Sequence, residues 1–261
     1  MGRSSKRTVR SSPVGKGCGD RYGQALMRTL ALSIMLVCML MPCRAEEGPA
    51  WDRSLSIGLN LSEGNTDTAL GHASLRAVRE EKEDYLRFLL EGTYGETNDE
   101  TTTQKARGQV QYRHHLDGSF LYTDLDGQHD DPAEVDYRVI AGGGLGKYLA
   151  RDERALVSAE IGLGYLWEKI KGDEDDHVVL RLAQRGNWEL STKAKIWESV
   201  EFVPKAETLD DYLIIGEAGV ETSITKQIYL RLVAQDRYDS VPAAGVEHND
   251  ISLISALTWR L

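Results

Sequence analysis

The chain has 261 residues, a formal net charge of −10 and 28 % charged residues, so it carries no cationic surplus for phosphate-backbone binding, and nucleic acid is excluded as a partner. Its three cysteines, Cys18, Cys38 and Cys43, all fall in the first 45 residues, which leaves the rest without a disulfide framework, a cysteine metal site or a thiol nucleophile. Those 45 residues hold eight Lys/Arg and one Asp, a net +7, so the remainder stands at −17.

The first predicted element is a leader. Leu30–Met41 is apolar apart from Ser33, with Arg28 before it and Pro42 after it. A helix needs roughly 18 or more apolar residues to span a bilayer, and this run has the length of a signal-peptide core. Cys43 and Ala45 supply the small side chains that signal peptidase accepts, so cleavage is expected after Ala45, with Met27 as a second candidate start. Val37 and Pro42, which precede Cys38 and Cys43, argue against lipidation. Residues 46–261 then form a single domain.

No stretch beyond Ala45 is long and apolar enough for a transmembrane helix. Period-two alternation runs along it instead. Leu55, Ile57, Leu59 and Leu61 alternate with Ser54, Ser56, Gly58 and Asn60. Ala106, Gly108, Val110 and Tyr112 alternate with Lys105, Arg107, Gln109 and Gln111. From Val157 to Trp167 the odd positions are apolar, set against Ser158, Glu160, Gly162 and Gly164. Ile228, Leu230, Leu232 and Ala234 alternate with Arg231 and Gln235. Successive side chains of a strand point to opposite faces, so the pattern predicts strands, about twelve of them. They are placed near 52–62, 66–78, 83–94, 102–115, 119–127, 134–149, 153–168, 175–189, 193–203, 210–222, 227–238 and 249–261. The fifth is the most weakly patterned. Most exceed the ~9–11 residues that a tilted strand needs to cross the hydrocarbon.

Counted from the N-terminus, the even connections are short and mix both charges, whereas the odd ones are acidic and, except for SEGNTD, expected to be longer. Short turns on one rim and long loops on the other are the pattern of outer-membrane barrels. Trp51, Tyr148, Trp188, Tyr229 and Trp259 are expected at the rim that holds the termini, and Tyr94, Trp167, Phe202, Tyr212 and Tyr238 at the other. The final ISLISALTWRL keeps Leu253, Leu257, Trp259 and Leu261 on one face, as in a C-terminal strand read by barrel-insertion machinery. The predicted fold class is therefore all-β: an antiparallel up-and-down transmembrane β-barrel of about 12 strands, secreted to the outer membrane of a Gram-negative-type bacterium, with outer-membrane lipid as its surroundings.

The segment SLSIGLNLSEGNTDT, with Ser62, Gly64, Asn65, Thr66, Asp67 and Thr68 in its turn, resembles the opening hairpin of the domain of unknown function 481 (DUF481) family, whose YdiY-like members are described as salt-induced outer membrane proteins. Val139–Leu149, VIAGGGLGKYL, is similar to that family's central glycine-rich strand, and the W-R-L terminus is similar in character. The resemblance covers nearly all of 51–261. It implies an outer-membrane barrel linked to salt or acid stress and brings no catalytic residues.

Chemistry-bearing motifs are sparse. Gly142–Gly146 contains G-G-G-L-G, but β pattern continues on both sides, where a phosphate loop needs a strand-to-helix junction. No G-x-S-x-G nucleophile elbow and no H-x-x-x-H pair occur, so neither an enzyme nor a cofactor is expected. The acidic run Asp173, Glu174, Asp175 and Asp176 is dense in oxygen ligands without EF-hand spacing, which implies at most weak divalent-ion binding. Arg87, Lys105, Arg107, Arg113, Arg181 and Arg185 are expected to face the lumen against Glu91, Glu160, Glu217 and Glu221, either plugging it or lining a narrow pore. The alternative architecture, a soluble lipocalin-like barrel holding a small apolar ligand, requires the opposite polarity inside and out.

Overall fold

A computed structural model describes residues 51–62, 68–98 and 100–261, excluding the side chains of residues 61 and 62. The expected leader, with Met27 and Ala45, and residues 63–67, where the sequence predicts a turn, lie outside this range. Twelve strands follow in order: β1 (Asp52–Ser62), β2 (Thr68–Glu80), β3 (Asp84–Thr97), β4 (Glu100–His115), β5 (Ser119–Asp130), β6 (Val135–Arg151), β7 (Ala155–Ile170), β8 (Asp173–Ser191), β9 (Ala194–Pro204), β10 (Tyr212–Ser223), β11 (Ile228–Asp239) and β12 (Asn249–Arg260). Each pairs antiparallel with its sequence neighbours, and β1 pairs with β12, which closes the barrel. Closure removes the open edges that an unclosed sheet would present.

Period two becomes radial polarity. The outward positions carry large apolar side chains left exposed, among them Ile161 (61 %), Leu163 (60 %) and Leu253 (69 %). The inward positions carry Gln109, Gln111, Ser158, Glu160, Arg181 and Glu221, all buried. This is the reverse of a lipocalin-like barrel.

Two sequence expectations need correction. The run Asp173–Asp176 is not a loop. Lys171 (φ 53°) and Gly172 (φ 89°) make a tight turn, and β8 starts at Asp173. Positive φ at both central residues is the signature of a type I′ hairpin, which continues the strand twist and lets the ladder run to its end. β3 and β4 likewise extend to Thr97 and from Glu100. The odd rim is therefore built of taller hairpins there, and the longer connections are 205–211 and 240–248. Tyr148 belongs to the interior and not to a rim girdle. The register shifts between Tyr148 and Ala150, and the ring packs 5.0 Å from Phe120 with its hydroxyl 2.8 Å from His115 Nδ1. At the odd rim Phe202, Tyr212, Tyr238 and His248 form a continuous string with ring separations of 5.3, 5.9 and 5.7 Å.

Candidate functional site

The inward face of β4–β9 is filled by charge and aromatic packing. Glu160 of β7, whose side chain is fully buried, accepts from Arg113 of β4 at 2.9 Å and from Arg181 of β8 at 2.8 Å, with Arg185 at 3.3 Å. Glu201 of β9 takes the other side of Arg181 at 2.9 Å and also pairs with Arg185. Two carboxylates thus sit among three guanidiniums. Buried charges persist only when paired and hydrogen-bonded, and the planar, multi-donor guanidinium allows one arginine to serve two acids. Arg107 of β4 donates to Asp126 of β5 at 2.8 Å through Nε. Arg87 of β3 donates to Gln109 at 2.5 Å, and Gln109 donates to Asp124 at 3.2 Å.

Glycines make this packing possible. A Cβ on Gly146 would overlap the Phe120 ring, and one on Gly162 would meet the Tyr122 hydroxyl. Phe120 is fully buried, with the Arg113 guanidinium 4.8 Å above its ring, and Arg181 lies 5.0 Å over Tyr122. Within the G-G-G-L-G run Gly146 thus seats an inward aromatic, while Gly142 and Gly144 lie against the β7 backbone. Facing this sector, Trp197 of β9 lies over Gly219, its Nε1 donates to Glu217 at 2.7 Å, and Arg231 stacks 4.6 Å from it. Gln235 donates to the second oxygen of Glu217 at 3.0 Å, and Lys195 pairs with Glu221 at 3.1 Å.

All of Arg87, Lys105, Arg107, Arg113, Arg181, Arg185, Glu160 and Glu217 project into the lumen. Lys105 pairs with Asp130 at 3.2 Å and reaches across the barrel to Asp250 of β12. The sequence reading missed Glu201, Asp126 and Arg138, and it set Arg231 and Arg237 on the polar face of their strand without counting them among the lumenal charges. Each sits at the inward parity of its strand, a usable signal; the partner across the barrel is set by strand stagger, which a sequence does not display. The acidic run does not converge. Asp173 and Asp175 point inward and Glu174 and Asp176 outward, as alternation requires. Asp175 pairs with Lys205 at 3.1 Å, Glu174 with Lys169 at 3.1 Å, and Asp176 accepts from Tyr165. No cluster of three or more potential metal ligands occurs among the described residues.

Beside this packing run cavities lined chiefly by β1–β3 and β9–β12, with β4, β5 and β6 contributing, and a separate cavity of about 140 Å³ lies between Arg138, Leu166, Glu168 and Val203. A cavity of about 170 Å³ lies towards the rim that holds the termini, between Asp52, Arg87, Trp197, Glu217 and Arg260. A second of about 520 Å³ shares Glu91, Arg107, Gln235 and Arg237 with it. A third of about 410 Å³ shares Gln128, Asp130, Arg237 and Asp250 with the second and reaches His248 at the odd rim. The three form a string from rim to rim, and Arg237 lines every one. Its guanidinium crosses the lumen to donate to Gln128 of β5. Nearer the odd rim Arg138 of β6 spans to Asp239 of β11 at 2.9 Å while holding Glu168 at 2.6 Å. Arg87, Arg231 and Arg237 form no ion pair with any described carboxylate.

Residues 55–259 match the family described as Protein of unknown function, DUF481. The chain belongs to that family. No curated protein sequence matches it. Among solved structures, the NanC porin aligns with a TM-score of 0.51 at 9 % identity, covering 80 % of this chain and all of the porin. The KdgM porin aligns at 0.43 with 7 % identity over 81 % and 99 % of the two chains, and the β domain of the Bordetella autotransporter BrkA at 0.40 with 13 % identity over 80 % and 97 %. At such identities the NanC likeness is one of fold, and the fold of this DUF481 chain is that of a closed outer-membrane-type β-barrel.

Proposed function

We propose that this DUF481 chain is a narrow, anion-preferring conduit of the outer membrane, its passage running down the hollow side of the lumen with Arg237 at the constriction. The observation that carries the reading is the rim-to-rim string of cavities that meet at one guanidinium without an acid partner among the described residues. The cavity near the termini is lined by eight cations, Arg76, Arg87, Arg107, Arg185, Lys195, Arg231, Arg237 and Arg260, against five acids, Asp52, Glu91, Glu201, Glu217 and Glu221. Rings of fixed charge set the sign of the permeant ion in a narrow pore. The cavity at the odd rim is acidic, with Asp130, Glu134, Asp239, Glu247 and Asp250 against Arg138 and Arg237, and it tunes entry, while the cationic cavity near the termini decides selection.

The chain enters the envelope through a leader cleaved after Ala45 and is assembled by insertion machinery that reads the β12 terminus. Outer-membrane lipid covers its apolar belt, and no reaction is assigned to it. The family resemblance extends the role to salt or envelope stress, tested by growth of a deletion strain at raised osmolarity. Planar-bilayer recording tests the conduit. Under a potassium chloride gradient the reversal potential should lie towards chloride. Arg237→Ala should raise the single-channel conductance and weaken the preference, and Arg237→Glu should move it towards potassium. Folded, heat-modifiable protein that stays silent in both wild type and Arg237→Ala would remove the conduit.

A further inference from the structure

The cavity of about 170 Å³ near the termini has eight cations in its lining against five acids, a surplus of three. Five of those cations hold an ion pair, from Arg107 on Asp126 at 2.6 Å to Arg76 on Asp52 at 3.9 Å. The other three are Arg87, Arg231 and Arg237, which pair with no carboxylate among the described residues.

Each of the three is nevertheless held in place. Arg87 donates to the Gln109 amide oxygen at 2.5 Å, and Gln109 is fixed in turn by donating to Asp124 at 3.2 Å. Arg231 lies 4.6 Å from the centre of the Trp197 ring, whose Nε1 donates to Glu217 at 2.7 Å. Arg237 donates to the Gln128 amide oxygen. Two amides and an indole thus orient these guanidiniums without neutralising them. Glu217 does not alter this, because its two oxygens accept from Trp197 and Gln235. Arg87 and Arg231 each stand three residues in from the strand end at the rim with the termini, Asp84 and Ile228. Their strands are separated by β2, β1 and β12, so they reach the cavity from two walls.

A guanidinium fixed by neutral groups keeps its full attraction for a mobile anion. Its planar fork of N–H donors matches the paired oxygens of a carboxylate or phosphate, a match that a spherical chloride cannot use. Since the forks are already oriented, little side-chain freedom is lost on binding. Space is sufficient, because one water needs only roughly 10–15 Å³.

We infer that Arg87, Arg231 and Arg237 form an oxyanion subsite on the passage, which takes the carboxylate or phosphate group of a small solute in preference to chloride. The occupant is the permeant itself. All three arginines are half-buried, and a solvated cradle of this kind binds loosely enough to release, as conduction requires. The inference deepens the conduit reading and rests on it for the onward path of the anion.

The test reads the Trp197 indole N–H by nuclear magnetic resonance of ¹⁵N-labelled protein folded in detergent micelles. The chain has five tryptophans, and Trp197→Phe assigns the signal at the cavity. Potassium phosphate and potassium acetate are each titrated against potassium chloride at matched ionic strength. The Trp197 signal should shift saturably with phosphate, acetate or both, and the tighter binder names the preferred group. Arg87→Gln and Arg231→Gln should each weaken the apparent affinity several-fold. Lys147→Gln, which removes an exposed cation from the outward face, should leave it unchanged. An indole that responds to neither oxyanion, or equally to chloride, overturns the subsite, and this wild-type result decides even where a variant fails to fold. Wild-type affinity in both folded arginine variants overturns the assignment to these guanidiniums. The titration needs no current, so its outcome is separate from the bilayer recording. Binding in a silent barrel keeps the subsite and loses the conduit, and an unresponsive indole in a conducting barrel does the reverse.

Discussion

The two halves of the lumen are made from the same kinds of residue and reach opposite results. From β4 to β9, Glu160 and Glu201 are saturated by three arginines, and Phe120 and Tyr122 sit in notches left by glycine. Along β1–β3 and β9–β12, Arg87, Arg231 and Arg237 have no acid partner among the described residues, and cavities follow one another between the rims. Residue composition alone does not decide whether a twelve-stranded barrel is plugged. What decides is whether each charge has a partner and whether small residues stand opposite large ones. Shared partners yield a structural buttress on one side, and unpartnered guanidiniums border the cavities on the other.

The largest effect should come from unbalancing the buttress. Glu160→Ala leaves Arg113, Arg181 and Arg185 with one carboxylate fewer in a buried setting. Breaking a buried pair from one side typically costs about 3–5 kcal/mol. The midpoint of unfolding on heated, unboiled gels should fall steeply, while Glu217→Ala, bordering the hollow, should do less. Equal losses would erase the distinction between the halves.

The outer face should not share the asymmetry, because lipid meets both halves. Leu163→Arg on the filled side and Leu232→Arg on the hollow side should each cost roughly 2–4 kcal/mol near the midplane. Urea titration of vesicle-bound protein measures both. A large difference between them would mean that the belt is not continuous. Inside, volume should be the discriminator. Gly146→Val drives into the Phe120 ring and should cost about 1–3 kcal/mol as overpacking. Ser199→Val projects into the cavity near the termini and should be nearly neutral in stability while lowering conductance.

Alternation made the strands legible, since a barrel wall in lipid is the purest case of period two. The fifth strand read poorly because its inward face carries Phe120 and Tyr122, while Gly127 and His129 stand on its outward side. Parity alone put the eight charges expected in the lumen on the polar faces of their strands. Their partners were not legible that way, because contacts such as Arg138–Asp239 and Lys105–Asp250 join strands far apart in sequence through barrel curvature. The acidic run was misplaced because its composition resembles a loop and because Lys171, a residue that rarely takes positive φ, stands where a hairpin signal would carry Asn, Asp or Gly. The short β1–β12 seam, four residue pairs from Ser54–Arg260 to Ile57–Leu257, left no trace in the pattern, since β1 and β12 alternate whether or not they meet.

The smallest effect lies at the rim with the termini, outside both halves. Asp152 opens the β6–β7 turn, and its Oδ1 accepts from the backbone amides of Arg154 at 2.8 Å and Ala155 at 2.9 Å. These amides favour the charged carboxylate and hold its pKa below the ordinary 3.8. A depressed pKa contributes stability that is full above the unfolded value and is lost as the pH falls through the folded one. Asp152→Ala should therefore melt slightly below wild type at neutral pH. The gap should narrow once the pH drops under 3.8 and close below the depressed value. Because the turn is solvent-exposed and touches neither the buttress nor the cavities, the same variant should leave conductance unchanged. A gap that widened in acid would mean that the turn is held by something other than these two amides, and a change in conductance would mean that the short rim is mechanically coupled to the lumen.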